Sequence, residues 1–86
     1  MSINPDSRFF AFEFMSRVAA IERQRSYKLR ELSAVSRVES DLNASYKEIL
    51  RARVQRFRLE YEVALLDVER YEMLEEQAKH EESQRP

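Results

Sequence analysis

Four arginines lie within one stretch of eight residues and form the densest group of side chains that could bind a ligand. They are Arg51, Arg53, Arg56 and Arg58. Guanidinium groups donate paired hydrogen bonds to phosphates and carboxylates, so this group could contact nucleic acid or an acidic protein. The same arginines flank Val54 and Phe57, and long side chains beside an apolar seam commonly cover that seam and pair with glutamates. Nucleic-acid contact is therefore a second hypothesis, behind a structural role.

A group of large apolar side chains near the beginning of the chain could bind a protein partner. It comprises Phe9, Phe10, Phe12, Phe14 and Met15. On a helix these positions point in most directions around the axis, so one neighbouring helix cannot cover them all. Aromatic residues grouped in this way are typical anchors of protein interfaces. Two interpretations stay open: the end of a helical bundle that is packed from several sides, and a docking site for a partner helix.

The residues that most enzymes and metal sites require are scarce. The chain has no cysteine and a single histidine, His80. Carboxylate pairs such as Glu60/Glu62 and Glu75/Glu76 belong to strongly charged segments, where no apolar pocket prepares them for acid–base catalysis. We therefore expect a protein that is not an enzyme, with no catalytic residue, no metal site, no cofactor and no small-molecule substrate.

The elements that position these residues must be helices. The chain contains no glycine, and its two prolines are Pro5 and Pro86, so the strongest helix breakers are missing from everything between them. Asn4 and Pro5 form a suitable helix start, because asparagine caps free N–H groups and proline fits the first helical position. An apolar stripe with spacings of three and four follows, interrupted at Arg25 and Lys28. Its members are Phe10, Phe14, Val18, Ile21, Leu29, Leu32 and Val35.

A single zone, from Ser33 to Ser45, is rich in serine, aspartate and asparagine, which compete with helical hydrogen bonds. Ser45 and Glu48 have the spacing of a capping box, the reciprocal pair of hydrogen bonds that starts a helix. We predict a turn near residues 40–45, with Asn43 in the left-handed conformation that glycine usually takes. The prediction is one helical domain over residues 1–86, with helix 1 at about 5–39, helix 2 at about 45–82 and flexible ends at 1–4 and 83–86.

The second helix is apolar on two opposite sides. One set of residues follows a heptad seam, and it consists of Leu50, Val54, Phe57, Tyr61, Ala64, Val68 and Tyr71. The other set lies on the opposite face and consists of Leu59, Val63, Leu66 and Met73. We predict that the first set packs against helix 1. The second set then remains exposed and, together with the aromatic group near the beginning of the chain, binds a partner.

The fold class that follows is all-α, an antiparallel helical hairpin that assembles into a dimeric four-helix bundle or a heteromeric helical complex. The alternative is a single long helix in an antiparallel coiled coil, because a loose apolar stripe from Leu32 to Ile49 continues through the predicted turn. The net charge of −1 conceals a division. Residues 1–58 carry twelve basic and seven acidic side chains, and residues 59–86 carry three and nine. A parallel dimer in register is disfavoured, because it would bring the acidic ends together.

The resulting functional hypothesis is a non-enzymatic protein–protein interaction module, namely a small chaperone, adaptor or assembly factor that buries a partner helix. Small glycine-poor hairpins occur among chaperones of bacterial secretion systems and among phage regulators, which is an analogy of shape alone. The alternatives are a nucleic-acid-associated regulator that uses the arginine group, and a structural coiled coil that binds only itself. We expect a cytoplasmic protein without a membrane span, since the most apolar stretch, residues 9–21, is shorter than the roughly 20 residues that a bilayer requires.

Overall fold

The computed structural model describes residues 5–83, and the side chains of residues 11–83. It contains two helices, α1 (Pro5–Glu39) and α2 (Tyr46–Ser83), which pack against each other in antiparallel directions. The Cα atoms extend over 67 × 16 × 12 Å. A continuous helix of this chain would be about 115–120 Å long. The chain is therefore a helical hairpin, and the predicted limits of the helices, 5–39 and 45–82, differ from the observed ones by at most one residue. The predicted flexible ends lie outside the described residues, except Ser83, which ends α2.

The turn is built by short polar side chains. The Ser45 Oγ accepts a hydrogen bond from the Glu48 N–H at 3.2 Å, and Glu48 Oε2 accepts one from the Ser45 N–H at 3.2 Å. This reciprocal pair confirms the capping box. The prediction for Asn43 is wrong, because no described residue has a positive φ. Asp41 makes the left-handed conformation unnecessary: its Oδ1 accepts the Asn43 N–H at 2.9 Å, so a side chain closes the turn.

The hairpin buries the opposite face of α2 from the one that the heptad spacing predicted. The buried residues of α2 are Ala52, Leu59, Leu66 and Met73, at seven-residue intervals. The predicted seam, which begins at Leu50 and ends at Tyr71, is exposed instead. Both faces have apolar residues at suitable intervals, so apolar spacing does not distinguish them. The expectation that Leu59, Leu66 and Met73 remain in water is therefore wrong, and Val63 beside them is half-buried.

Ion pairs explain why this face was selected. α1 presents Arg25 and Lys28 in its own seam, at the interruption of its apolar stripe. Arg25 Nε lies 2.8 Å from Asp67 Oδ1, and Lys28 Nζ lies 2.6 Å from Glu62 Oε2. On the opposite face of α2 the residues level with these two cations are the apolar Tyr61, Ala64 and Val68. Packing on that face would leave both cations in the interface without a carboxylate, which opposes it.

The charged residues divide the hairpin interface into two apolar clusters. The cluster distant from the turn contains Ile21, Leu66 and Met73, with Phe14 and Val18 packed against it. The cluster near the turn contains Val35, Ala52 and Leu59, with Leu32 beside it. Arg25 and Lys28 lie between the two clusters along α1. No described helix has an apolar segment long enough to cross a membrane.

Candidate interaction surface

The exposed face of α2 carries a continuous row of apolar side chains, which we call the outer stripe. Its members are Leu50, Val54, Phe57, Tyr61, Ala64, Val68 and Tyr71, and all of them are exposed. At 1.5 Å per residue the stripe is about 32 Å long. Successive members are separated by four and three residues in alternation, so they form a seam that a second helix can pack against.

Three aromatic rings dominate the outer stripe. Phe57, Tyr61 and Tyr71 are each more than half exposed, and Leu65 extends the apolar surface at one edge. Aromatic side chains offer about 150–250 Å² each, so the three rings alone leave on the order of 350 Å² in water. Single exposed apolar residues are common, but a contiguous patch of this size is typical of an interaction site.

One edge of the outer stripe changes charge along its length. At 100° per residue, this edge carries Lys47, Arg51 and Arg58 toward the turn and Glu69, Glu72 and Glu76 toward the other end. All six residues are exposed. The ion pairs among the described side chains use none of them. The edge therefore offers a basic half and an acidic half to whatever covers the stripe.

The arginine group does not act as one unit. Arg56 is drawn into the hairpin, where its Nε donates to Glu39 Oε1 at 2.8 Å and its Nη1 donates to Glu60 Oε1 at 3.3 Å. The hydrogen bond to Glu39 is the main reason that the pKa of Arg56 is raised above its ordinary value. Its guanidinium carbon also lies 4.5 Å from the centre of the Phe57 ring. Arg51, Arg53 and Arg58 remain exposed, outside the described ion pairs.

The aromatic group near the beginning of the chain is also divided. Phe12 and Met15 are strongly exposed, whereas Phe14 packs against the cluster of Ile21, Leu66 and Met73. The side chains of Phe9 and Phe10 lie outside the described residues. The exposed part of this group therefore consists, within the described side chains, of Phe12 and Met15 on the outer side of α1.

The second set of predicted partner-binding residues serves the hairpin itself. Leu59, Leu66 and Met73 are buried between the two helices, and Val63 is half-buried among them. A partner could reach them only if α1 separated from α2. The surface available in their place is the outer stripe, which sequence reasoning had assigned to the hairpin. The basic interruption in α1, matched by Glu62 and Asp67 in α2, is the signal that identifies the correct face.

Concave sites are shallow. An open depression of about 420 Å³ on α1 is lined by Tyr27 and Arg30 together with Ala19, Glu22, Arg23 and Ser26. The Arg30 guanidinium carbon lies 5.9 Å from the centre of the Tyr27 ring, so two of the lining side chains form a cation–π pair. Among the described residues, no three His, Cys, Asp or Glu side chains are close enough together to hold a metal ion.

The chain matches no protein-family model, no curated protein and no solved structure. The surface features that indicate a function are therefore the outer stripe, its charged edge and the exposed pair Phe12 and Met15.

Proposed function

We propose that this chain is a non-enzymatic helical protein–protein interaction module that binds a partner helix along the outer stripe of α2. The main observation in support is that seven apolar residues in heptad spacing remain exposed after the hairpin has formed its own interface. Contact of this apolar surface with water is unfavourable, so a helix that covers it gains free energy of burial. The corresponding role is that of a small chaperone, adaptor or assembly factor in the cytoplasm, and a bacterial secretion system or a phage is a suitable setting.

The partner segment is an amphipathic helix. Grooves and seams of this kind take apolar anchors at positions i, i+3, i+4 and i+7 of the incoming helix. Because Tyr61 lies at the centre of the stripe, it is the contact that every such helix must cover. The exposed pair Phe12 and Met15 forms a smaller second contact on α1, about on the opposite side of the hairpin.

Photocrosslinking tests the proposal directly. A photoreactive phenylalanine analogue, p-benzoylphenylalanine, replaces Tyr61 in the full chain, which is then irradiated in the cells that express it. We expect a covalent protein adduct at this position. The matched control carries the same analogue at Tyr27 on α1, because Tyr27 and Tyr61 are equally exposed, at 64%.

The adduct mass then distinguishes the outcomes. A discrete adduct at position 61 that is absent or weaker at position 27 supports the proposal, whether the attached chain is a second copy or another protein. No adduct at position 61, or equal adducts at both positions, would contradict it. Circular dichroism of the purified variants establishes that both retain the helical hairpin.

A second candidate function rests on three exposed arginines that take part in no ion pair among the described side chains. Arg51, Arg53 and Arg58 could contact phosphates, which would make the chain a nucleic-acid-associated regulator. The acidic residues of the same helix oppose this, so it ranks below protein binding. Binding of labelled DNA and RNA at low salt tests it: retention that falls steeply with salt and is lost in Arg53→Glu supports nucleic-acid binding. Unchanged mobility excludes it.

A further inference from the structure

We propose that the helix covering the outer stripe is α2 of a second copy of the chain, running in the antiparallel direction. This inference rests on the function proposed above and names the partner of the same surface. Two properties of the stripe support this inference. In an antiparallel pair of α2 helices, each apolar residue of the stripe lies opposite an apolar residue of the other copy. The basic half of the charged edge then lies beside the acidic half of the same edge in the other copy.

The apolar match can be stated residue by residue. When two copies of α2 meet antiparallel near Tyr61, residues whose numbers sum to 121 or 122 lie opposite each other. Every member of the stripe then lies opposite another member, and the two are displaced along the helix axis by less than one residue, or about 1.5 Å. The opposed pairs are Leu50 with Tyr71, Val54 with Val68, Phe57 with Ala64, and Tyr61 with Tyr61.

The sizes of the opposed residues are also complementary. The large Phe57 faces the small Ala64, and this combination allows two helices to approach closely without a void. The two Tyr61 rings meet near the twofold axis, where the side chains of both copies can stack with an offset. Each contact except the central one occurs twice, as a symmetric interface requires.

The charged edge selects the direction of the second copy. A twofold axis that makes the helices antiparallel brings the same edge of both copies together. Arg51 then lies between Glu69 and Glu72 of the second copy, offset from each by about 2 Å along the axis. Lys47 lies beside Glu76 in the same way. A parallel pair would instead place the basic residues 51–58 of both copies at one level, and their repulsion disfavours it.

The hairpin is elongated and exposes enough surface for a further interface. The accessible area is 7210 Å², about a third more than the ~5400 Å² expected for a compact monomer of 10.3 kDa. Stable interfaces bury roughly 800 Å² on each partner. The excess is thus large enough for an interface of ordinary size.

The resulting assembly has a specific shape. The outer stripe lies about 180° around α2 from the residues that face α1. The four helices of the dimer therefore form a row in the order α1, α2, α2, α1. Phe12 and Met15 stay open at the two outer sides of this row, where they can bind a further protein.

The natural absence of cysteine allows a clean test by disulfide crosslinking. We suggest three single-cysteine variants of the full chain, Leu50→Cys, Tyr71→Cys and Tyr61→Cys, oxidised under identical conditions. In the antiparallel dimer, the two copies of residue 50 are about 32 Å apart, whereas residue 50 of one copy faces residue 71 of the other. We expect Tyr61→Cys to form a covalent dimer by itself. Leu50→Cys and Tyr71→Cys should crosslink only when they are mixed.

Other crosslinking results contradict the proposal in distinguishable ways. Crosslinking of Leu50→Cys with itself indicates a parallel dimer and overturns the antiparallel arrangement. Equal crosslinking of the control Tyr27→Cys, whose side chain is as exposed as that of Tyr61, indicates random collision. If no variant forms a dimer, the second copy is not the partner. A heterologous adduct in the photocrosslinking experiment would then leave the proposed function standing, and no adduct at all would remove both.

Light scattering on the unmodified chain provides a test that does not depend on any variant. We expect a mass of twice 10.3 kDa at concentrations of several hundred micromolar. Reversal of one edge charge in Arg51→Glu should weaken the dimer about tenfold, and the double variant Arg51→Glu/Glu72→Arg should restore it. A monomeric mass across the whole concentration range, or equal affinities of the single and double variants, would overturn the proposal.

Discussion

Lys28 Nζ lies 2.6 Å from Glu62 Oε2, in the middle of the interface between α1 and α2. The pair is partly buried and separates the apolar cluster near the turn from the cluster at the other end. Arg25 and Asp67 form a second pair one turn along the interface. These contacts favour one register of the hairpin, because a shift of one helix by a turn would leave the charges beside apolar residues.

The central ion pair should contribute more to register than to stability. Removing one partner, as in Glu62→Leu, leaves Lys28 without its carboxylate and should lower the free energy of unfolding by about 0.2–1 kcal/mol, since the pair is partly open to solvent. The double variant Lys28→Leu/Glu62→Leu should exceed the wild type by about 1–2 kcal/mol, because it joins the two apolar clusters. Urea unfolding followed by circular dichroism measures both changes. A double variant that is less stable than the wild type would show that the pair is a main source of stability.

The substitution Leu66→Ala tests which face of α2 the hairpin buries, and Leu42→Ala in the turn is its exposed control. Leu66 is 7% exposed between the helices, and Leu42 in the turn is fully exposed. Leu66→Ala should cost about 2–3 kcal/mol, since a cavity remains in a thin interface, whereas Leu42→Ala should cost less than about 0.5 kcal/mol. Thermal unfolding at one protein concentration compares them, with about 4–8 °C expected per kcal/mol in a chain of this size. Equal effects would place the packed face elsewhere.

Removal of a single hydroxyl group, that of Ser45, should reveal how much the capping box at the start of α2 contributes to stability. Ser45→Ala removes the acceptor of the Glu48 N–H and should lower stability by about 0.5–2 kcal/mol. Ser33→Ala is a suitable control, because Ser33 is an exposed residue inside α1, where alanine favours the helix. We expect its midpoint of thermal unfolding to stay constant or to rise. A similar loss in both variants would argue against a specific cap.

Arg56 should support the hairpin through the geometry of its guanidinium group. It bridges Glu39 on α1 and Glu60 on α2, so Arg56→Gln should lower the unfolding midpoint and Arg56→Lys should lower it less. The exposed Arg23, which takes part in no described ion pair, provides the control Arg23→Gln with no expected change. If Arg56→Gln and Arg23→Gln have the same midpoint, the bridge contributes nothing.

The pKa shift of Arg56 also predicts the sign of a pH effect. Its pKa is raised in the folded chain by the hydrogen bond to Glu39, so its contribution is fully present below the unfolded-state pKa. The contribution is lost only as pH rises through the higher folded-state pKa, which lies in the strongly alkaline range. The difference in midpoint between wild type and Arg56→Gln should therefore stay constant from neutral to moderately alkaline pH. A difference that changes over this range would contradict this assignment.

Local rules were sufficient for the helices and the turn. The absence of glycine and of internal proline, together with apolar residues spaced three and four apart, predicted helices, and the serine-rich zone marked the interruption near residues 40–45. The capping box at Ser45 and Glu48 depends on two residues three positions apart, so it can be read directly from the sequence. Asn43 could not be placed in this way, because Asp41 supplied a competing hydrogen bond.

Which face of α2 packs against α1 could not be predicted from local sequence alone, because it depends on contacts between residues far apart in the chain. Spacing alone allowed either Leu59 or Phe57 to point toward α1, since both belong to apolar rows on opposite sides of the helix. The contacts of Arg25 and Lys28 with carboxylates that lie 42 and 34 residues later in the chain favoured one of the two rows. Helical periodicity is a local property of the backbone, and it establishes that α2 has two apolar sides. Which side becomes the core depends on charges that meet only after the chain has turned back, and this leaves the outer stripe open for a partner.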